Sequence, residues 1–469
     1  MTTCIHCHIK ILSPVHLGCD EVYDPLSFSV DTANNRLVVF DTAQFLSQLD
    51  TDKLANFSAI CWKGTLSSIL EIYNFFAREK PKGRDLAVTS GFVRHYQKTL
   101  KLPQHDHRKL QQELNRFTIY RTAFLPATDR AYIPGSAVKG SLRTAYLNLL
   151  ARTMKPEHLP KGNAKELEKS LLGGSFQSDP LRLVKVSDFM PVGAPKTKIL
   201  YAVNEKKRIS EFQARGPHQI LEVIEPGAVF QGTITIDTPP PTSEIKKSVR
   251  FDTLWKSLQD FFGSELDREK QEYARINRKH PLESVTPDAR LLRLGRHSGA
   301  ECVTIAAVRS ILIRGTKGET RREKGATTLW MAADAQTAKQ SNSLMPFGWA
   351  SLHVTDEETR RAFDEQESSW RETLAISEPV IEEKSEPIPV APQRTEPKEE
   401  EWEQAHVEWN PGKGEITARH GQKTAVAKDI NLVEERLRER LKKKKRLTTL
   451  VRVSHEGGTY YRILSVELR

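Results

Sequence analysis

Apolar and polar side chains alternate with a period of two in some stretches and recur at helical spacing in others, and the two patterns take turns as far as Trp370. HIKILSPVHLG predicts an opening strand, and RLVVFDTAQFLSQL a strand that runs into a helix. FTIYRTAFLP and the run before YIPGS predict further strands, while SLRTAYLNLLARTM predicts a helix with Leu142, Tyr146, Leu149 and Leu150 on one side. A second set follows: LRLVKVSDF, KILYAVNEKKR and HQILEVIEPGAVFQGTITID as strands, a helix from about Val249 to Arg275, then LLRLGRHSGAECVTI. The economical architecture is α+β, two tandem units over 1–180 and 181–375, each a sheet covered by helices on one face. No short-period repeat interrupts this order.

After Trp370 the pattern changes. Residues 377–402 hold eight glutamates and five prolines with few bulky apolar side chains, too little to offset the entropy of ordering, which predicts a flexible acidic linker over 376–402. Beyond it, 403–469 reads as a small basic β-rich domain: strands HVEWN, GEITARH and KTAVAK, a helix NLVEERLRERL, then strands TTLVRVSH and TYYRILSVEL joined through a Gly-Gly turn. Three strands, a helix and two strands is the order of an OB-like barrel. Its basic run, Arg436 to Arg446, is either a solvated helix end or a track for phosphates.

At 469 residues the chain exceeds one core, which agrees with several domains. The net charge of +11 and pI near 9.2 favour a polyanionic partner such as nucleic acid. Five cysteines, an odd number, argue against a disulfide framework. The start MTTCIHCHIKILSPVHLG has no secretory pattern, and no apolar run is long enough to span a bilayer, so the expectation is a cytoplasmic protein without a membrane partner.

The densest chemistry lies in AYIPGSAVKGSLRTAYLNLL, Ala131 to Leu150. Pro134, Gly135 and Gly140 predict a tight turn that a partner can approach, Ser136 a hydroxyl at a helix start, and Lys139 and Arg143 positive charge beside it: a phosphate cradle. The Walker spacing is absent, because Lys139 precedes Gly140. The alternative is a plain turn with two solvated cations. A second compact loop, Gly295 to Gly299, presents Arg296, His297 and Ser298; it reads as amides and a guanidinium for RNA, or as a structural turn with a capped histidine.

YIPGSAVKGSLRTA resembles a segment of the RAMP family of CRISPR-associated proteins, with Ala137 where a serine is common. LSPVHLGCDEVYDPLSFSVD followed by NRLVVFDTAQFLSQLD, LRLGRHSGAECVTI and LMPFGWASL are similar to the fifth subunits of type III-A (Csm) complexes, and together these segments span most of residues 1–352. The resemblance implies ferredoxin-like (RRM-like) units and a non-catalytic subunit that caps the 3′ end of the guide RNA (crRNA) and supports its maturation and complex assembly in antiviral defence. It implies RNA contacts at Gly135, Ser136, Lys139, Gly140 and Arg143, and at Arg296, His297, Ser298 and Gly299. The implied partners are guide RNA and other Csm subunits, chiefly backbone RAMP subunits; the tail is left open between RNA, protein and a recruited host nuclease. No cofactor is implied. The tail is not recognised as a standard part of the family.

Other constellations point less far. Cys4, Cys7 and His8 spell C-x-x-C-H, yet they fall on an alternating strand pattern with no second cysteine pair. His16, His105 and His107 are the histidines a metal-independent RAMP endoribonuclease acting on the guide precursor would draw on, but they match no pattern of that nuclease. Asp20, Glu21 and Asp24 could serve a backbone RAMP subunit that cuts target RNA with a metal; a solvated turn accounts for them better, since metal ligands converge from several segments. No catalytic or metal-binding residue is assigned.

Overall fold

A computed structural model of the chain describes residues 2–103, 106–160, 164–214, 216–245, 248–282, 286–315, 319–377, 399–410, 415–421, 423–444, 446–457 and 460–467. His105, most of the expected linker, Lys445 of the basic run and Gly458 of the expected Gly-Gly turn lie outside the described residues. The chain divides into two compact units, Met1–Glu378 and Pro379–Arg469.

In the first unit, alternation along the opening strand Thr3–Ile11 sends Cys7, Ile9 and Ile11 into the core and leaves Cys4 and Lys10 exposed on the other face. This strand runs antiparallel between Val229–Ile236, with Thr3 opposite Ile236, and Trp349–Val354. Val184–Val186 extends the sheet on one side and Arg290–Arg293 on the other. Helix Gly135–Thr153 lies in sequence between the first and second of these strands, and helix Phe251–Arg275 follows Val229–Ile236. The fourth, first, third and second strands of this strand-helix-strand-strand-helix-strand series stand side by side, which is ferredoxin-like topology. Both helices cover one face: Val138, Leu142 and Ala145 of one and Leu258, Phe261 and Phe262 of the other share a core with Ile9 and Ile11. The buried stripe of the first helix thus runs through Val138, Leu142 and Ala145, whereas Tyr146, Leu149 and Leu150 are half-buried.

A second, mixed sheet orders Gly18–Val22, Ile119–Thr122, Gln219–Ile224, Thr197–Lys206, Arg84–Val88, Arg36–Val39 and Phe28–Asp31, with Thr328–Ala333 pairing the far part of Thr197–Lys206. Tyr73, Phe92 and Tyr96, from helices Leu66–Glu79 and Ser90–Leu100, pack on Ile199, Tyr201 and Ile220. Each sheet draws strands from both sides of residue 180. The expected tandem pair, 1–180 and 181–375, is therefore corrected to a nested pair: the second sheet grows from the connections of the first. Local alternation identifies a strand but not its partner, and here the partners are far apart in sequence.

Helix Glu357–Ser377, which the sequence pattern did not predict, lies against the face of the first sheet opposite the two helices. Phe363 meets the His8 ring at 5.2 Å, Gln231 donates to Asp364 at 3.2 Å, and Arg130 pairs with Glu367 at 2.8 Å with its guanidinium 3.5 Å from the Trp370 ring centroid.

The second unit is a closed barrel of five strands, Glu399–Asn410, Glu415–His420, Lys423–Ala427, Arg446–Gly457 and Tyr460–Glu467, ordered first-second-third-fifth-fourth with the third and fifth parallel. Helix Glu435–Lys444 sits between the third and fourth strands in sequence and sends Leu437 and Leu441 into a core with Trp402, Val407, Ile416, Val451 and Ile463. The expected element order is present. The barrel starts at Glu399, inside the stretch expected to be linker: Ala405 and Val407 alternate into the core, a bulge between Trp402 and Ala405 shifts the register, and Trp402 anchors the glutamate-rich first part of the strand in the same core.

Candidate nucleic-acid interface

Ile133 bridges to Phe189, Pro134 caps, and the helix begins at Gly135. The Gly135 N–H donates to the Asp188 carboxylate at 2.7 Å, so the positive end of this helix already holds an anion from its own chain. A Cβ on Gly135 would stand 2.4 Å from the Val186 carbonyl oxygen and 2.5 Å from that of Ser187, which makes this glycine a packing requirement of the neighbouring strand. Arg143 is likewise engaged. Its guanidinium donates to Asp179 at 2.8 Å and to Glu168 at 2.7 Å, tying the helix to the segment that follows it.

What remains of the motif faces outward. Ser136, Lys139 and Gly140 lie three and four residues apart on one helix face; Ser136 and Gly140 are exposed and Lys139 is half-buried. Lys139 forms no ion pair among the described residues; partial burial moves its pKa down, and Asp179 opposes this. Gly140 is not the turn residue expected. It sits inside the helix, and a Cβ there would meet nothing within 4 Å. Glycine inside a helix costs about 0.5–1 kcal/mol relative to alanine, and no intramolecular contact explains its presence.

The second segment packs beside this helix: Ser141 Oγ donates to the Arg293 carbonyl at 2.8 Å, and Asn148 accepts from the Ala306 N–H at 2.8 Å. Gly295 has φ +76°, and a Cβ there would stand 2.2 Å from the His16 carbonyl oxygen. Ser298 is buried and donates to the Leu294 and Gly295 carbonyls at 3.0 and 2.7 Å. His297, at φ +63°, donates to Gln219 at 3.0 Å and packs on Trp330 at 4.3 Å. Burial, with His16 and Arg296 nearby, lowers its pKa to about 4. Gly299, at φ +83°, closes the turn. Arg296 is the exposed side chain of the loop; its guanidinium lies 5.9 Å from the Tyr120 ring centroid and makes no ion pair among the described residues.

The remaining candidates do not assemble. His16 is buried: its Nδ1 donates to the Glu222 carbonyl at 2.7 Å, its Nε2 is sealed without a partner, and burial holds its pKa near 4. His107 opens an exposed helix. Cys4 and Cys7 point to opposite faces of one strand. Asp24 accepts from the Leu26 N–H at 2.7 Å, and Glu21 approaches Arg121 at 3.8 Å. Among the described residues no three histidine, cysteine or carboxylate side chains come together as a metal site. No described helix is long and apolar enough to cross a membrane.

Sequence reasoning missed the ion network beneath these segments. Glu269 accepts from Arg293 at 2.7 Å, His280 at 3.0 Å and the Trp349 indole at 2.8 Å. Burial works to raise its pKa, but these partners, Arg293 foremost, hold it at about 2. Glu301 accepts from Lys207 at 2.6 Å and from the Ala326 N–H at 2.7 Å.

Known proteins share this architecture. Over 193 residues the chain is 24% identical to "CRISPR system Cms protein Csm5" of Methanocaldococcus jannaschii, a stretch that is 38% of this chain and 41% of that protein, so the match spans about two fifths of the relative. A chain in a cryo-EM structure of a Csm-crRNA-target RNA ternary complex of a type III-A CRISPR-Cas system superposes with a TM-score of 0.50 at 19% identity, covering 75% of this chain and all (100%) of that one. A crystal structure of T. onnurineus Csm5 gives 0.44 at 17% identity, over 73% and 99% of the two chains. The RAMP superfamily model matches residues 8–378, from the opening strand through helix Glu357–Ser377, and the chain belongs to that superfamily.

Proposed function

We propose that this chain is a non-catalytic guide-RNA-binding subunit of a type III-A (Csm) effector complex, which caps the 3′ end of the guide, supports its maturation and contacts backbone RAMP subunits. The observation that carries the reading is the outward helix face of Ser136, Lys139 and Gly140, with a glycine that its own fold does not require and a lysine that forms no ion pair among the described residues. Arg296 beside Tyr120 supplies a second outward cation with an aromatic face. Superfamily membership and the likeness to Csm5 support the assignment to this complex. We read the ferredoxin-like sheet and the nested sheet as the two RRM-like units of the body. Contacts of this kind go to phosphate and sugar, which suits a cap that must accept every spacer. The burial of His16 supports a binding role over a ribonuclease.

The test is binding and cleavage of labelled guide RNA and its precursor, with and without magnesium, by the wild type and a Ser136→Asp, Lys139→Glu double variant. The expected result is retention without cutting, weakened roughly tenfold or more in the variant. Specific cutting that survives repurification would overturn the reading in favour of a guide-processing endoribonuclease. More than one copy per complex would indicate a backbone subunit instead.

A further inference from the structure

A cleft on the first unit, lined by no residue of either motif, gathers Arg208, Arg275, Arg314 and Lys324 from separate elements. Arg208 follows the strand Thr197–Lys206, Arg275 ends the long helix, Arg314 belongs to the hairpin Ile311–Arg314 with Thr320–Glu323, and Lys324 lies just past it. All four are exposed, and none forms an ion pair among the described residues. The two carboxylates of the cleft are already engaged: Glu272 accepts from Lys207 at 2.8 Å and forms an ion pair with Arg268 at 2.6 Å, and Glu323 pairs with Arg321 at 2.7 Å. The C-terminal end of the long helix contributes only about half a negative charge, which four cations exceed.

The walls are fixed from below. The buried carboxylate of Glu301 holds Lys207 and the Ala326 N–H, and so ties the segment carrying Arg208 to the base of the hairpin. Ile311 and Ile313 also line the cleft, and no aromatic ring lines it among the described residues. Such a surface grips phosphates and leaves bases unread. Across the hairpin, Arg322 lines a second depression with Arg143 and Thr144 of the helix that carries Lys139. The hairpin therefore stands between the outward helix face and the cleft.

We propose that this cleft binds the phosphodiester backbone of single-stranded RNA, continuing the path that begins at Ser136, Lys139 and Gly140; it rests on the RNA-binding reading above. The ligand is recognised by charge, without sequence preference, at a place that neither motif marks.

The test measures the affinity of the full chain for single-stranded RNA by fluorescence anisotropy across a salt series, for the wild type and for Arg208→Gln, Arg275→Gln, Arg314→Gln, Lys324→Gln combined, with a thermal melt to show that the fold is kept. Each phosphate contact contributes about 0.7 to the slope of log affinity against log salt, so the expected result is a slope shallower by roughly 2–3 and a binding constant weaker at least about tenfold. Photo-crosslinks from 4-thiouridine RNA should fall on the hairpin and disappear in the variant. Unchanged affinity and slope in the variant, with the wild type still binding RNA, would overturn the cleft and leave the preceding reading intact. Failure of the wild type to bind RNA at all would overturn both.

Discussion

The helix-start segment, 131–150, and the loop segment, 291–305, both draw on glycine, serine and arginine but use them differently. In the first, Gly135 and Arg143 serve the fold while Ser136, Lys139 and Gly140 face out. In the second, Gly295, His297 and Ser298 are all committed to packing, and Arg296 alone of the loop's central three points outward. The lesson is that residue type marks both segments, but only the partner of each polar atom separates a surface from a keystone. If the loop segment is a keystone, damage beneath it should cost stability first, and damage to the helix face should cost binding first.

The largest effect is expected at Glu269. Arg293 and Glu269 have side chains only 2% and 4% exposed, and Glu269→Gln leaves the guanidinium buried without its counter-charge. Breaking a buried pair from one side costs about 3–5 kcal/mol, measurable by urea denaturation of the full chain. Lys139→Ala, on the exposed face, should change stability by less than about 0.5 kcal/mol. Equal losses in the two variants would erase the distinction between the segments.

Acid should sharpen the same contrast. His16 and His297 meet at the loop segment, and both have pKa values lowered from 6.5 to about 4, chiefly by burial. Between these values the unfolded chain binds protons that the folded chain does not, so stability falls as the pH drops from 6.5 toward 4 and is fully present above 6.5. The loss is of the order of 1 kcal/mol per pH unit for each histidine. Residues 131–150 contain no histidine. Hydrogen exchange at pH 5 should therefore open amides around 294–299 before those of helix Gly135–Thr153; the reverse order would sink the assignment of the loop as the acid-labile point.

Much of the fold was legible in the chain. Period-two and helical spacing located the strand at Thr3–Ile11, the helices at Gly135–Thr153 and Phe251–Arg275, and the three-strand, helix, two-strand order of the barrel. What spacing does not carry is partnership: that Thr3 faces Ile236, that Arg143 meets Asp179, or that Asp188 reaches back to the Gly135 amide. These are long-range choices settled by the core as a whole. They turned the tandem units into nested ones and withdrew part of the expected phosphate cradle from solvent. The helix Glu357–Ser377 is not legible for a different reason: none of its described side chains is fully buried, so its apolar stripe is thin.

The smallest expected effect is also the most discriminating. Gly140 lies inside a helix with open space where a Cβ would go, so Gly140→Ala should raise stability by about 0.5–1 kcal/mol through helix propensity alone. A surface with no partner would register only that gain. If RNA backbone comes close to this turn of helix, the added methyl keeps it away, and the same variant that melts later should bind guide RNA more weakly. The two signs must therefore be opposite: a later melt with unchanged binding assigns Gly140 to no interface, and leaves Lys139 to carry the outward face alone.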